Sequence, residues 1–175
     1  AALRLLQQGH EVRVLDSLEH GGQGLLSLYP QQGFEFHHGD VRSPESADRA
    51  LQDVDAVVHL AAIVGDPACA RDPELTREIN FEAALQLFEL SRQRGVEKFV
   101  FASTCSNYGR QSDPDQYVSE DTELRPISLY AETKVAVEES LLDLSGADYP
   151  SVTVLRFATL FGLAPRMRFD LTVNE

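Results

Sequence analysis

Tryptophan is absent from the 175 residues, methionine occurs once, and there are only two cysteines, Cys69 and Cys105. Two thiols in a chain of this length make no disulfide framework, so a reducing, cytoplasmic setting is the default expectation. Neither cysteine has a Cys or His at metal-ligand spacing, and no metal site is expected. His37 and His38 are adjacent, which in a strand sends them to opposite faces. Basic residues are scarce: Lys and Arg number 15 against 28 Asp and Glu, giving a formal net charge of −13. Nucleic acid and anionic membranes both require a basic face, so neither is an expected partner. No apolar run reaches the length of a membrane span, and no signal peptide is predicted.

What is present is ordinary for a soluble globular domain: 43% hydrophobic and 25% charged residues, and enough chain for one sizeable core. Ala1 to Gln8 has helical spacing and Gly9 supplies its stop. A strand is predicted from Glu11 to Asp16, a loop from Ser17 to Pro30, and a second strand from Phe34 to His38. Within the loop, Gly21-Gly22-Gln23-Gly24 has the composition of a phosphate cradle but follows the wrong strand, and it reads as a flexible loop. Ser43-Pro44 opens a short helix to about Leu51, with Ser43 as its cap. Asp55 to Leu60 is an almost unbroken apolar run, predicted to be a strand covered on both faces. Asp72-Pro73 opens one long helix through Arg94. Lys98 to Ala102, Ser128 to Leu144 and Ser151 to Phe157 read as strand, helix and strand. Strands alternating with helices predict a parallel sheet with helices on both faces. In that architecture ligands bind at the carboxyl ends of strands, here marked by Asp16, Asp40, Ala61-Ala62, Thr104 and the segment after Arg156.

The chemistry-bearing stretch is Tyr130-Ala131-Glu132-Thr133-Lys134. Residues four apart share a helix face, so Tyr130 and Lys134 can serve one site. A nearby ammonium favours the phenolate and would lower the Tyr130 pKa. Thr104 ends a strand and offers a hydroxyl to the same substrate. The spacing alone is weak, since a surface Tyr and a solvated Lys also satisfy it.

Several motifs in order carry a resemblance. They are Val14-Leu15-Asp16, Gly39-Asp40-Val41-Arg42, His59-Leu60-Ala61-Ala62, Asn80, Ser103-Thr104 through Tyr108-Gly109, Tyr130-x-x-x-Lys134, and Arg156-Phe157-Ala158-Thr159-Leu160-Phe161-Gly162. With these the chain resembles the extended short-chain dehydrogenase/reductases, in the NAD-dependent epimerase/dehydratase branch that acts on nucleotide sugars. The resemblance implies a Rossmann-type, doubly wound three-layer αβα fold and NAD as cofactor. Asp16 would accept hydrogen bonds from the adenosine ribose and disfavour a 2′-phosphate. Asp40 and Val41 would border the adenine, and Leu60, Ala61 and Ala62 would let the dinucleotide lie close to backbone. Plainer roles are a solvated loop acid for Asp16, a turn residue for Asp40 and tight packing for the alanines. His59 reads as a core residue and Asn80 as a structural one. Tyr130 would be the acid–base group, Lys134 would hold the nicotinamide ribose, and Thr104 would bond the reacting oxygen.

The resemblance also implies a nucleotide-diphosphate sugar as substrate, met by Thr104, Cys105, Ser106, Thr159 and Asn174, with Arg166 and Arg168 available to a diphosphate. A homodimer is a further expectation. Two departures qualify this. The 4,6-dehydratases of the branch carry Asp-Glu after the Thr, where this chain has Cys105-Ser106, so dehydration is disfavoured and an epimerase or related keto-sugar oxidoreductase is expected. Cys105 reads as a small packed residue before a nucleophile. Thr159 stands where much of the branch has Asn. The chain opens inside a helix, whereas the branch opens with a strand and a Gly-x-x-Gly-x-x-Gly turn that binds pyrophosphate. Residues 1–175 are thus expected to be a partial NAD-binding domain, without most of the substrate-binding region and with little activity alone. The rival readings are a non-catalytic dinucleotide-binding relative and an inactive fragment.

Overall fold

The computed structural model describes residues 1–110, 117–144, 146 and 148–165. The chain divides into two compact units, residues 1–50 with 159–175, and residues 51–158.

In the first unit, α1 (Ala2–Gln7) leads to β1 (Val12–Asp16), and β2 (Phe34–His38) pairs with β1 in parallel, from Val12 opposite Phe34 to Asp16 opposite His38. The helix α2 (Pro44–Ala50) starts as expected, with the Ser43 hydroxyl oxygen accepting the Ser46 N–H at 3.1 Å. Both helices pack against β1. Residues 21–24 contribute only to a 3₁₀ turn, Gln23–Leu25.

The second unit holds β3 (Ala56–His59), β4 (Lys98–Thr104) and β5 (Ser151–Phe157) in one parallel sheet, in that order. Phe99 and Phe101 on β4 are fully buried and His59 on β3 is 3% exposed. Against this face pack Phe88, edge-on to Phe99 at 5.1 Å between ring centroids, and α6 (Leu129–Leu144), which buries Ala131, Val135, Val137 and Leu141. Each large apolar side chain so buried contributes about 1.5–3 kcal/mol.

Three expectations require correction. First, the helix expected from Asp72 through Arg94 is three pieces, α4 (Pro73–Arg77), a π turn (Glu78–Glu82) and α5 (Ala83–Gln93), and a short helix with no predicted counterpart, α3 (Asp66–Arg71), precedes them. The break has a cause. Asn80, 1% exposed, turns inward so that its Oδ1 accepts the Ile63 N–H at 2.8 Å and its Nδ2 donates to the Ile63 carbonyl at 2.9 Å. That side chain satisfies both backbone groups of the loop after β3, and an extra residue in the helical turn places it there.

Second, β3 is not covered on both faces. Val58 is 45% and Leu60 54% exposed. Side chains alternate along a strand, and Leu155 and Phe157 on β5 are also exposed, so the helices of this unit cover one face of its sheet. Third, the strands form two sheets, not one. β1 pairs only with β2 and β3 only with β4 among the described residues.

Candidate active site

β4 delivers Thr104 in extended conformation at its last position, and the 3₁₀ turn Cys105–Tyr108 begins immediately. The Thr104 Oγ1 caps that turn by accepting the Ser106 N–H at 3.2 Å. Gly109 closes it at φ +61°, and a Cβ there would lie 1.9 Å from the Arg125 carbonyl oxygen, so the close crossing of residue 125 requires glycine. Across from the turn, Ser128 caps α6 by accepting the Ala131 N–H at 3.3 Å, which sets Tyr130 and Lys134 one turn apart at its start.

The Thr104 hydroxyl lies close enough to Tyr130 to act on its phenol. Burial pushes that phenol above its ordinary value of 10, while the Thr104 hydroxyl acts in the opposite sense. Cys69, Cys105 and Asp66 are close enough to raise it further, so the net shift is upward, opposite to the lowering expected from Lys134. The Lys134 ammonium, 2% exposed, points into the sheet, donates to the Ala102 carbonyl at 2.9 Å and lies 4.6 Å from the Phe101 ring centroid. Burial brings its pKa down to about 8, opposed by Cys69 and Glu138.

His59 belongs to the core as expected. It lies against Phe99 and Phe101, and burial, with Lys134 nearby, lowers its pKa to about 3, so it stays neutral. Its Nε2 has no hydrogen-bond partner. Cys69 is buried, donates to the Ile63 carbonyl at 3.4 Å, and has its thiol pKa raised by burial. Cys105 is exposed, which overturns its reading as a packed residue, and Ser106 beside it is exposed too.

The other predicted residues are distributed as follows. Leu60 and Ala61 are exposed and Ala62 half-buried, at the exit of β3 in the same unit as Tyr130. Asp16, Asp40, Val41 and Thr159 belong to the other unit. Asp16 ends β1 exposed; its Oδ1 accepts the Leu18 N–H at 2.7 Å, and its Oδ2 has no hydrogen-bond partner among the described residues, which fits a ribose acceptor. Asp40 fits its assigned role less well, because Arg42 already occupies both of its oxygens, at 2.7–3.1 Å, and holds its pKa down. Val41 is half-buried and Thr159 exposed. Arg166, Arg168 and Asn174 lie outside the described residues. A cavity of about 250 Å³ lined by Leu15, His37, His38, Ser46 and Arg49 contains none of the predicted site residues. Among the described residues no group of three or more His, Cys, Asp or Glu could hold a metal, and no helix is long and apolar enough to cross a membrane.

One cluster escaped the sequence reading. Glu138, one turn beyond Lys134, is 1% exposed and accepts hydrogen bonds from Ser103, Asn107 and Arg156. The available signal was a carboxylate at a core position of α6, between Val135, Val137 and Leu141. A charge there demands buried partners.

A parallel α/β fold with Thr104 at the carboxyl end of β4, beside a helix carrying Tyr130 and Lys134, has the architecture of the α/β ligand-binding domains. Comparison with known proteins gives the particular family. The family model for the NAD dependent epimerase/dehydratase family matches residues 1–174, and the chain belongs to that family of enzymes. It is 30% identical over 173 residues to a putative UDP-arabinose 4-epimerase of Arabidopsis thaliana, covering 94% of this chain and 39% of the relative. Among solved structures it is similar to the Thermus thermophilus UDP-glucose 4-epimerase in complex with NAD, at a TM-score of 0.78 and 34% identity, over 88% of this chain and 49% of that one. The Bacillus cereus UDP-glucuronic acid 4-epimerase in complex with NAD gives a TM-score of 0.84 at 28% identity, over 99% and 55%. The fold is thus Rossmann-type, and the chain spans about half the length, or less, of the relatives it matches.

Proposed function

We propose that this chain is the NAD-binding part of a nucleotide-sugar epimerase. The observation that carries the reading is the approach of Tyr130 to Thr104 at the end of β4, with Lys134 buried and bonded to the same strand at Ala102. NAD supplies a reversible hydride acceptor at such a site, and the protein supplies proton transfer and orientation. Tyr130 moves the proton of the reacting sugar hydroxyl, and Thr104 orients the phenol and the same oxygen. Burial keeps Tyr130 protonated in the resting protein, so it begins as the hydrogen-bond donor to a carbonyl or the partner of a hydroxyl. Lys134 has two donors beyond its bond to Ala102, and these suit ribose hydroxyls. Asp16 suits the adenosine ribose, while Leu60, Ala61 and Ala62 suit close approach of the dinucleotide.

Water elimination is disfavoured, since exposed Cys105 and Ser106 offer no carboxylate where a dehydratase needs an acid and a base. The relatives' UDP-sugar specificity supports a nucleoside-diphosphate sugar as substrate. The test is Tyr130→Phe in the full-length protein. Interconversion of epimeric UDP-sugars falls about 10²–10⁴-fold while NAD stays bound. A non-catalytic dinucleotide-binding relative would show no turnover in either protein.

A further inference from the structure

Glu138 sits in the layer beneath the Tyr130–Thr104 pair, and every group bonded to it belongs to an element that carries or adjoins the site. Its Oε1 accepts the Ser103 hydroxyl and the Asn107 Nδ2, the latter at 2.6 Å, while Asn107 also donates to the Ser103 Oγ at 3.0 Å. Its Oε2 accepts Arg156 through Nε at 2.9 Å and Nη2 at 2.7 Å. Ser103 immediately precedes Thr104, and Asn107 lies in the turn that follows it. The carboxylate therefore grips the chain on both sides of Thr104. Arg156, from β5, neutralises Glu138 and continues outward: its Nη1 donates to the Tyr108 hydroxyl and to the Glu120 carbonyl, each at 3.1 Å, and its guanidinium lies 5.3 Å from the Tyr108 ring centroid.

We propose that Glu138 is a positioning residue: with Arg156 behind it, its carboxylate fixes the Ser103–Tyr108 turn, and so Thr104, against the helix that presents Tyr130 and Lys134. The inference rests on the function proposed above for those three residues, but its geometry does not. Stability alone is a weak reason for such a cluster. Desolvating a carboxylate and a guanidinium is costly, and well-packed apolar residues of the same volume are often as stable or more so. What apolar packing does not supply is directional bonds, and here the directional bonds converge on the one turn that must be held in register with α6. The Asn107 side chain, fully buried with its Oδ1 unpartnered, is held only through its Nδ2, while its backbone carbonyl accepts the Arg125 N–H at 2.9 Å, so the carboxylate supplies the side-chain anchor of the turn. The same carboxylate favours the charged form of Lys134 one turn away.

The test is backbone hydrogen exchange, read by peptide mass spectrometry on the full-length protein and on two variants. Ser103→Ala removes one hydroxyl and leaves the Glu138–Arg156 pair in place. Glu138→Gln keeps an acceptor toward Ser103 and Asn107 but turns an amide toward the arginine. Positioning predicts that both variants speed exchange across residues 104–109 by about tenfold, the scale of one lost hydrogen bond to a charged group. Peptides of α5 keep wild-type rates, and kcat falls with KM unchanged. A cluster serving stability alone predicts that Ser103→Ala leaves the turn unchanged, or that exchange rises equally throughout the second unit; either result overturns the proposal. If Glu138→Gln does not fold, Ser103→Ala decides. If the turn loosens but neither protein turns over UDP-sugars, the positioning stands and the proposed function falls.

Discussion

Lys134 gives the account a prediction that needs no substrate. Its ammonium is 2% exposed, with the Ala102 carbonyl at 2.9 Å and the Phe101 ring as its immediate surroundings. Burial brings its pKa from 10.5 down to about 8. That difference corresponds to about 3 kcal/mol against folding with the lysine charged. The sign follows from linkage. Between pH 8 and 10.5 the unfolded chain binds the proton and the folded one does not, so stability rises with pH there. The cost is fully present below pH 8 and absent above 10.5. Cys69 and Tyr130 oppose this trend, because their raised pKa values weaken the fold as pH climbs past 9 and 10. A comparison of wild type with Lys134→Met leaves the burial of both groups, the largest cause of each shift, unchanged and removes only the Lys134 influence on Cys69. Urea unfolding at pH 7 should find the methionine variant more stable by ~1–3 kcal/mol, after allowing about 1 kcal/mol for the lost bond to Ala102. By pH 9 the advantage should shrink by ~1 kcal/mol. A variant less stable than wild type at pH 7, or a difference that does not move with pH, would refute the reasoning.

Other substitutions probe the supports of the site. Asn80→Leu strands the Ile63 N–H and leaves its carbonyl only the weak Cys69 thiol donor, and should cost about 2–4 kcal/mol in urea melts, with faster exchange at Ile63. Arg156→Met leaves the Glu138 carboxylate buried without its counter-ion; a loss of about 3–5 kcal/mol at pH 7 is expected. Gly109→Ala places a Cβ 1.9 Å from the Arg125 carbonyl at a positive φ, and thermal unfolding should register a loss of ~2 kcal/mol or more.

Much of the fold was legible because its signals are local. Alternation and apolar runs placed all five strands, and Ser43, Asp72 and Ser128 announced their helices. The motif order placed Tyr130, Lys134 and Thr104 in one unit. What sequence did not show depends on groups distant in the chain. The π turn exists because Asn80 reaches back 17 residues to Ile63, and nothing in the helical period from Pro73 to Gln93 reports that reach. The direction of the Lys134 ammonium is set by Ala102, 32 residues away, so the i,i+4 spacing that suggested coupling to Tyr130 could not settle it. Glu138 was passed over because its partners come from β4, the following turn and β5. The exposed face of β3 has a different origin: an apolar run predicts burial, but which face is covered depends on what else packs there.

The proposed function requires hydride removal and return at one sugar carbon. The direct measurement is incubation of the full-length protein and its NAD with UDP-sugars deuterated at the ring carbons in turn, followed by proton NMR and mass spectrometry of the products. The expected result is inversion at one carbon with its deuterium retained there, and loss of the reaction in Tyr130→Phe. Washout of deuterium into solvent, or NAD and UDP-sugar binding without any inversion, would contradict it.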